Sequence, residues 1–253
     1  MKNKKHYFQI LYTLAVCILP LGLSGCYFDF DDDDGFHGPS IVGSGNIVLE
    51  ERSIPSFDQI EANGAYSIII SQGPQQVVEM EGDDNILPFI TTRVRGGELE
   101  ISNTRNYRTN TQIKVYITVP VLSSIELHGS GNIFGETPLA GDLLNIEVNG
   151  AGNVDLELDY IKLVADSRGS GNFQLFGSVT EQEVTLSGSG NYRAKELFSE
   201  NCEIKISGSG NGEVTVENIL EAEINGSGDI TYFGNPAFVD SSINGSGGLI
   251  KGE

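Results

Sequence analysis

Apolar and polar residues alternate over short stretches in the second half of the chain. In one such stretch Ile125 and Leu127 flank Glu126, and in another Val184 and Leu186 lie four and two places ahead of a glycine. Alternation with a period of two and one apolar face is typical of a half-buried strand. The pattern therefore predicts a series of short strands, and we find no amphipathic helix of useful length.

One tetrapeptide, Gly-Ser-Gly-Asn or a close variant, follows these stretches at regular intervals. Its seven copies begin at Gly129, Gly150, Gly169, Gly188, Gly208, Gly226 and Gly245, at steps of 21, 19, 19, 20, 18 and 19 residues. A repeat of this length is typical of an all-β, parallel β-helix-like solenoid. Seven coils, each one circuit of the solenoid, would stack to roughly 34 Å at about 4.8 Å per coil. A β-sandwich is the rarer alternative, because it does not require one motif every 19 residues or so.

The alternation of inward and outward positions along the strands predicts which way the side chains of the motif face. If the strand runs straight, both glycines face inward and the Ser and Asn side chains face outward; we favour a bend at the glycines instead. Stacked Asn side chains could hydrogen-bond from coil to coil, and a flat polar face could also bind a polymer or another cell surface. The candidate ladder or binding face consists of Ser130, Asn132, Asn153, Ser170, Asn172, Ser189, Asn191, Ser209, Asn211, Ser227 and Asp229.

Residues 47–125 are less regular but also rich in β-forming residues, whereas residues 126–250 form the repeat half. Gly-Pro at 73–74 and Gly-Gly at 96–97 predict turns, and 83–87 predicts one short helical turn. An isolated copy of the tetrapeptide at 43–46 is expected to help cap one end of the solenoid. The predicted strands of the irregular half are 67–71, 76–80, 99–101 and 113–119.

The start of the chain resembles a bacterial lipoprotein signal peptide. Lys2, Lys4 and Lys5 precede an apolar stretch over 10–23, which is too short for a spanning helix of about 20 residues. The sequence Leu-Ser-Gly-Cys that ends at Cys26 resembles a lipobox, in which the cysteine becomes the lipid-modified first residue. We expect residues 1–25 to be removed; an ordinary signal peptide or a buried helix are the alternatives.

An acidic segment follows the candidate lipidation site. Residues 26–46 contain Gly and Pro and are predicted to be a solvated tether. The acid cluster also resembles the surface-export signal of lipoproteins in Bacteroidetes-type bacteria, and calcium binding is the weakest interpretation because EF-hand spacing is absent. The acids in question are Asp29, Asp31, Asp32, Asp33 and Asp34.

Charge and cysteine content exclude several classes of protein. The chain has 35 acidic and 15 basic residues, for a net charge of −20, and without residues 1–25 the balance is 12 − 35 = −23. Such an excess argues against nucleic acid as a partner. Once Cys17 is removed and Cys26 lipidated, Cys202 is left alone, so no intramolecular disulfide is expected. Cys202 falls on a predicted strand and is expected to be a buried thiol.

The sequence offers little for catalysis or metal binding. Calcium-binding repeats of the form Gly-x-Gly-x-Asp need an acid at the last position, where six of the eight copies here have Asn and only Asp229 is acidic. A polysaccharide-active β-helix enzyme would need two carboxylates about 5–9 Å apart with one kept protonated. We expect no metal and no cofactor. We also expect no catalysis, because the available carboxylates are predicted to lie at solvated outward positions: Glu136, Asp142, Asp155, Glu157 and Asp166.

The segments 52–60, 82–87 and 119–120, together with the repeats, resemble the putative auto-transporter adhesin head GIN domain family (DUF2807) over about residues 48–248. The resemblance implies a parallel β-helix-like domain, here 47–253, that is usually exported and often lipid-anchored, and it provides no catalytic residues. Self-translocation is not expected, so the lipid would be the anchor. The expected protein is an adhesin-like lipoprotein of the cell envelope, in the outer membrane, with a glycan or another cell-surface component as partner. A periplasmic scaffold is the alternative.

Overall fold

A computed structural model describes residues 39–253. Cys26, the predicted signal peptide 1–25 and the acids between Asp29 and Asp34 lie outside the described residues. The only helical element described is a 3₁₀ turn at Leu87–Phe89, close to the helical turn predicted at 83–87. None of the helical structure in 39–253 has the length and apolar character needed to span a bilayer.

Strands make up the rest of the regular structure. In the irregular half they are β1 (Ile41–Val42), β2 (Ile47–Glu51), β3 (Gln59–Asn63), β4 (Ser67–Gln72), β5 (Val77–Asp83), β6 (Ile90–Arg95), β7 (Glu98–Asn103), β8 (Tyr107–Arg108) and β9 (Lys114–Val119). In the repeat half they are β10 (Ser124–Gly129), β11 (Asn132–Gly135), β12 (Leu139–Gly150), β13 (Asn153–Gly169), β14 (Asn172–Gly188), β15 (Tyr192–Gly208), β16 (Gly212–Gly226), β17 (Ile230–Gly234), β18 (Phe238–Gly245) and β19 (Leu249–Lys251).

The repeat half is a parallel β-solenoid, as predicted. Successive strands from β12 to β16 pair in parallel, and the first glycine of each motif aligns with that of the next, as in the pairs Gly150 with Gly169 and Gly169 with Gly188. The solenoid has about 7 coils with a spacing of about 19 residues. The alternation found in the sequence places one side chain in two inside each coil, where Ile125, Leu127 and Phe173 are fully buried.

The irregular half joins the same solenoid, but its coils are not stacked in chain order. β3 pairs in parallel with both β7 and β10, and β4 pairs in parallel with both β9 and β11. The coil formed by β3 and β4 therefore lies between the coil of β7 and β9, on one side, and the repeat half, on the other.

The end of the solenoid beyond β9 is covered by antiparallel strands. β5 pairs with β9 and with β2, and β6 pairs with β7. The early Gly-Ser-Gly-Asn copy binds here: Ser44 Oγ donates to Asp84 Oδ1 at 2.6 Å, and Asn46 Nδ2 donates to Asp84 Oδ2 at 2.8 Å. The predicted tether extended to residue 46, whereas the structure begins its pairing at β1. The physical reasons are that β1 pairs in parallel with β8 and that the carboxylates of 83–84 accept hydrogen bonds from residues 44–46.

The opposite end of the solenoid is the edge formed by β18 and β19. All eight residues of β18 are exposed, because no further coil among the described residues lies beyond them. The core ends beneath this strand, where Leu220 and Ile224 are fully buried. Cys202 is a free thiol that is 2% exposed, which confirms the prediction of a buried cysteine.

Candidate functional site

The tetrapeptide forms a corner of the solenoid, which confirms the predicted bend. The first glycine of each repeat copy has a positive φ, from 114° at Gly129 to 153° at Gly226, a region that residues with a Cβ rarely adopt. The second glycine is buried against the coil before it, and a Cβ on Gly190 would overlap the carbonyl oxygen of Gly171. Both glycines are therefore required for the coils to approach at this corner.

The asparagines form a continuous column of hydrogen bonds next to the corner. Asn153 Nδ2 donates to Asn132 Oδ1 at 2.8 Å, and Asn172 Nδ2 donates to Asn153 Oδ1 at 2.9 Å. Asn191 Nδ2 then donates to Asn172 Oδ1 at 3.0 Å, and Asn211 Nδ2 donates to Asn191 Oδ1 at 3.4 Å. We call the column from Asn132 to Asp229 the Asn ladder.

The same amide oxygens also accept bonds from the backbone of the following coil. Asn172 Oδ1 accepts from the N–H of Asn191 at 3.1 Å, and Asn211 Oδ1 accepts from the N–H of Asp229 at 2.9 Å. Asp229 Oδ1 in turn accepts from the N–H of Gly248 at 2.8 Å. The Asp229 carboxylate keeps the acceptor for the following coil but has no side-chain donor for Asn211, so only its backbone N–H continues the column on that side.

The serines behave differently from the asparagines. Their side chains are exposed at the corner, and their backbone N–H groups bind the previous coil, as when Ser170 donates to Gly150 O at 2.8 Å. The pair of Ser246 and Ser227 hydroxyls, at 3.2 Å, is the one Ser–Ser side-chain bond of this column in residues 39–253. The serine hydroxyls thus form an exposed row available to a partner rather than a ladder.

An acidic column runs along the outward face that precedes the corner. Glu100, Glu61, Glu126, Glu147 and Asp166 align in register on five neighbouring coils. Like charges at the strand spacing of about 4.8 Å repel one another. This face is therefore strongly negative near the irregular half.

Basic side chains offset part of this repulsion. Arg168 lies 3.0 Å from Glu147 Oε1 and 3.3 Å from Asp166 Oδ2. His128 Nε2 lies 3.8 Å from Glu61 and 3.7 Å from Glu126, and adds positive charge there only when its imidazole is protonated. Such exposed pairs each stabilise a protein by only about 0–1 kcal/mol, so they reduce the repulsion without removing the negative field.

A second acidic column follows the same face towards the β18 end. Glu183, Glu203, Glu221 and Asp240 align in register, and shallow grooves of about 230 and 150 Å³ lie along them. Among residues 39–253 no group of three or more His, Cys, Asp or Glu side chains is placed to hold a metal ion.

The carboxylates considered for glycoside hydrolysis lie at outward positions, and Asp155 and Glu157 share one face of β13. Glu136 accepts a hydrogen bond from Ser71 Oγ at 2.8 Å, and Asp166 is paired with Arg168. Four of the five are exposed and Asp166 is half-buried, so none has the buried setting that keeps a catalytic acid protonated: Glu136, Asp142, Asp155, Glu157 and Asp166. These five carboxylates therefore lack the environment of a glycosidase general acid.

The fold and this surface define the chain as a parallel β-solenoid with a ladder of Asn side chains and acidic outer faces. The family described as "Putative auto-transporter adhesin, head GIN domain" matches residues 56–236, and the chain belongs to that family. Among curated proteins none matches the chain significantly.

Several solved structures share this fold. A putative adhesin from Bacteroides fragilis is 28% identical, with a TM-score of 0.80 over 84% of this chain and 100% of that chain. A putative lipid binding protein from Parabacteroides distasonis is 25% identical, with a TM-score of 0.71 over 85% of this chain and 100% of that chain. A putative adhesin from the same organism shares the fold at 23% identity, with a TM-score of 0.69 over 85% and 100%.

Proposed function

We propose that the protein is a lipid-anchored, adhesin-like protein of the outer membrane that binds a glycan or another cell-surface component without catalysis. The observation that carries the proposal is the Asn ladder, because it locks neighbouring coils in register and so holds the exposed serine row and the outer faces flat. Rigid, extended solenoid faces are suited to binding long partners. Membership of the adhesin head family supports the same assignment.

The proposed anchor is the lipidated Cys26. Several acyl chains on one residue bind a membrane far more firmly than a single chain, which gives only marginal binding. Fourteen residues separate Cys26 from Ile41, where strand pairing begins. At about 3.4 Å per residue, an extended chain of that length reaches about 50 Å, enough to hold the solenoid clear of the membrane.

Protease shaving of intact cells, with lysed cells as the control, tests the proposed location. Digestion in intact cells is the expected result, and it supports surface exposure. Protection until lysis would refute it and favour a scaffold on the periplasmic side. Replacing the five acids between Asp29 and Asp34 by Asn should convert digestion into protection if they form an export signal.

The anchor is tested by labelling cells with radioactive palmitate. The wild-type chain should incorporate label and sediment with membranes, whereas Cys26→Ser should do neither. Cys202→Ser is the matched control, because this buried thiol is not expected to carry lipid. Equal labelling of wild type and Cys26→Ser would contradict the proposed anchor.

A further inference from the structure

Strand β15 contains a bulge that breaks the otherwise regular stacking. Ala194 pairs with Val214, and the next pair is Phe198 with Thr215, so residues 195–197 have no counterpart in β16. Bulges of this kind bend a strand and redirect side chains, and they are frequent beside functional sites. The extra residues make β15 overhang the coil that follows.

The bulge directs one aromatic side chain into solvent. Phe198 is 56% exposed, although Leu197 and Ser199 on either side of it are buried. Beneath the overhang lies an open recess of about 460 Å³, lined by Phe198, Thr215, Glu217, Gly234 and Asn235. This volume is within the range of about 300–1,000 Å³ for small-molecule sites.

The floor of the recess is kept bare by Gly234. Its φ is +88°, and a Cβ at this position would overlap the carbonyl oxygen of Val216. The Thr215 hydroxyl cannot donate to a ligand, since it already donates to Lys195 O at 2.6 Å. The recess therefore presents one aromatic ring above a backbone floor.

Two polar side chains on the rim remain available. Glu217 is exposed and makes no hydrogen bond or ion pair with the part of the chain that the structure describes. Asn235 Oδ1 accepts a hydrogen bond from Lys251 Nζ at 3.2 Å, which leaves the Nδ2 donor free to turn to the recess. The rim thus offers a strong acceptor and an amide donor close to an aromatic face.

The neighbouring aromatic ring, that of Phe233, already has contacts on its face. Lys195 Nζ lies 4.1 Å from the centroid of the Phe233 ring, and the backbone of Gly252 packs against the same ring. Phe198 is consequently the ring of this region that is free to stack on a ligand. The basic residues beside the recess already have partners, since Lys195 lies over the Phe233 ring and Lys251 donates to Asn235.

We propose that this recess binds one uncharged sugar residue of a glycan. A pyranose ring offers an apolar face that fits an aromatic platform, and its hydroxyls can both donate to Glu217 and accept from Asn235. An acidic sugar is disfavoured by the negative field of the whole chain. The inference rests on the proposed surface-binding function and names its ligand class.

The test is binding of the detergent-purified full chain to a panel of neutral glucan, mannan, galactan and xylan oligosaccharides, with uronic-acid oligosaccharides for comparison. Saturation-transfer NMR then measures affinity for the neutral oligosaccharide that binds best. Wild type should bind at least one neutral oligosaccharide. Phe198→Ala should weaken that binding about tenfold through the loss of ring stacking, and Glu217→Gln should weaken it less.

Phe238→Ala is the matched control, because Phe238 is 57% exposed and lies on β18, outside the recess. It should bind as wild type does, and circular dichroism should show all variants folded. The proposal is overturned if no neutral oligosaccharide binds, if Phe198→Ala binds as wild type does, or if uronic-acid oligosaccharides bind better. If protease shaving shows surface exposure but any of these results is obtained, the proposed location still stands. Only the proposed sugar site is then refuted.

Discussion

Replacing Asn172 by alanine should destabilise the solenoid measurably, although the side chain lies near the surface. Its Nδ2 donates to Asn153, and its Oδ1 accepts from both the side chain and the backbone N–H of Asn191. Each such bond contributes about 0.5–1.5 kcal/mol net, and water replaces part of it at an exposed site. We expect a loss of about 0.5–2 kcal/mol for Asn172→Ala and a similar loss for Asn191→Ala.

Urea unfolding followed by far-UV circular dichroism measures this loss as a lower midpoint. Asn172→Asp keeps the acceptor for the N–H of Asn191 but loses the donor to Asn153, so its midpoint should fall between those of wild type and Asn172→Ala. Ser170→Ala is the control from the same motif, because the exposed Ser170 hydroxyl is not part of the ladder, and its effect should stay within about 0.5 kcal/mol. Unchanged midpoints for both Asn→Ala variants would refute the stabilising role of the ladder.

Three further predictions follow from packing and charge. Gly190→Ala should cost about 3 kcal/mol in urea unfolding, since its Cβ would overlap the preceding coil and separate two coils. Gly248→Ala is the control, because a Cβ there meets nothing nearer than Asp229 Oδ1 at 3.7 Å. It should cost much less, and equal losses would contradict the close approach. The hydrogen bond from Lys114 lowers the pKa of Glu81 below its usual 4.5, so the pair stabilises the fold above that pH and the contribution is lost as the pH falls through the lowered pKa. The stability difference between wild type and Glu81→Gln should therefore shrink from about pH 6 to about pH 3, and a constant difference would be evidence against the pair. Burial raises the pKa of Cys202, so with the other cysteines replaced by serine a thiol reagent should react only after unfolding; rapid reaction of the folded protein would show that the core opens.

Much of the repeat half could be predicted from the sequence because its information is local. A period near 19 residues, an apolar residue at every second position and two glycines per motif are enough to define parallel coils and a corner. The bulge before Phe198 is indicated only indirectly in the sequence. The spacing between first glycines is 20 residues from Gly188 to Gly208 and 18 residues from Gly208 to Gly226. Against a repeat of 19 residues, the first step has one residue more and the second has one fewer, but where the difference falls within the coil depends on the pairing.

The contacts of the early motif copy could not be predicted in the same way. Asp83 is 1% exposed and accepts a hydrogen bond from the N–H of Gly45 at 2.6 Å. The adjacent Asp84 binds the side chains of Ser44 and Asn46. These groups are about 40 residues apart in the chain, and nothing in the local pattern shows that acids after β5 meet this glycine-rich segment. Long-range pairing, rather than local preference, decides this end of the fold.

The central position of the coil formed by β3 and β4 has a consequence for how the chain folds. This coil is made early in the sequence, yet both of its long edges pair with strands that come later, β7 and β9 on one side and β10 and β11 on the other. Coils added in the order of synthesis or export therefore cannot all stack in one direction. The solenoid has to grow in two directions from an interior coil, and closing these long loops first should make its nucleation slow compared with the addition of the later repeats.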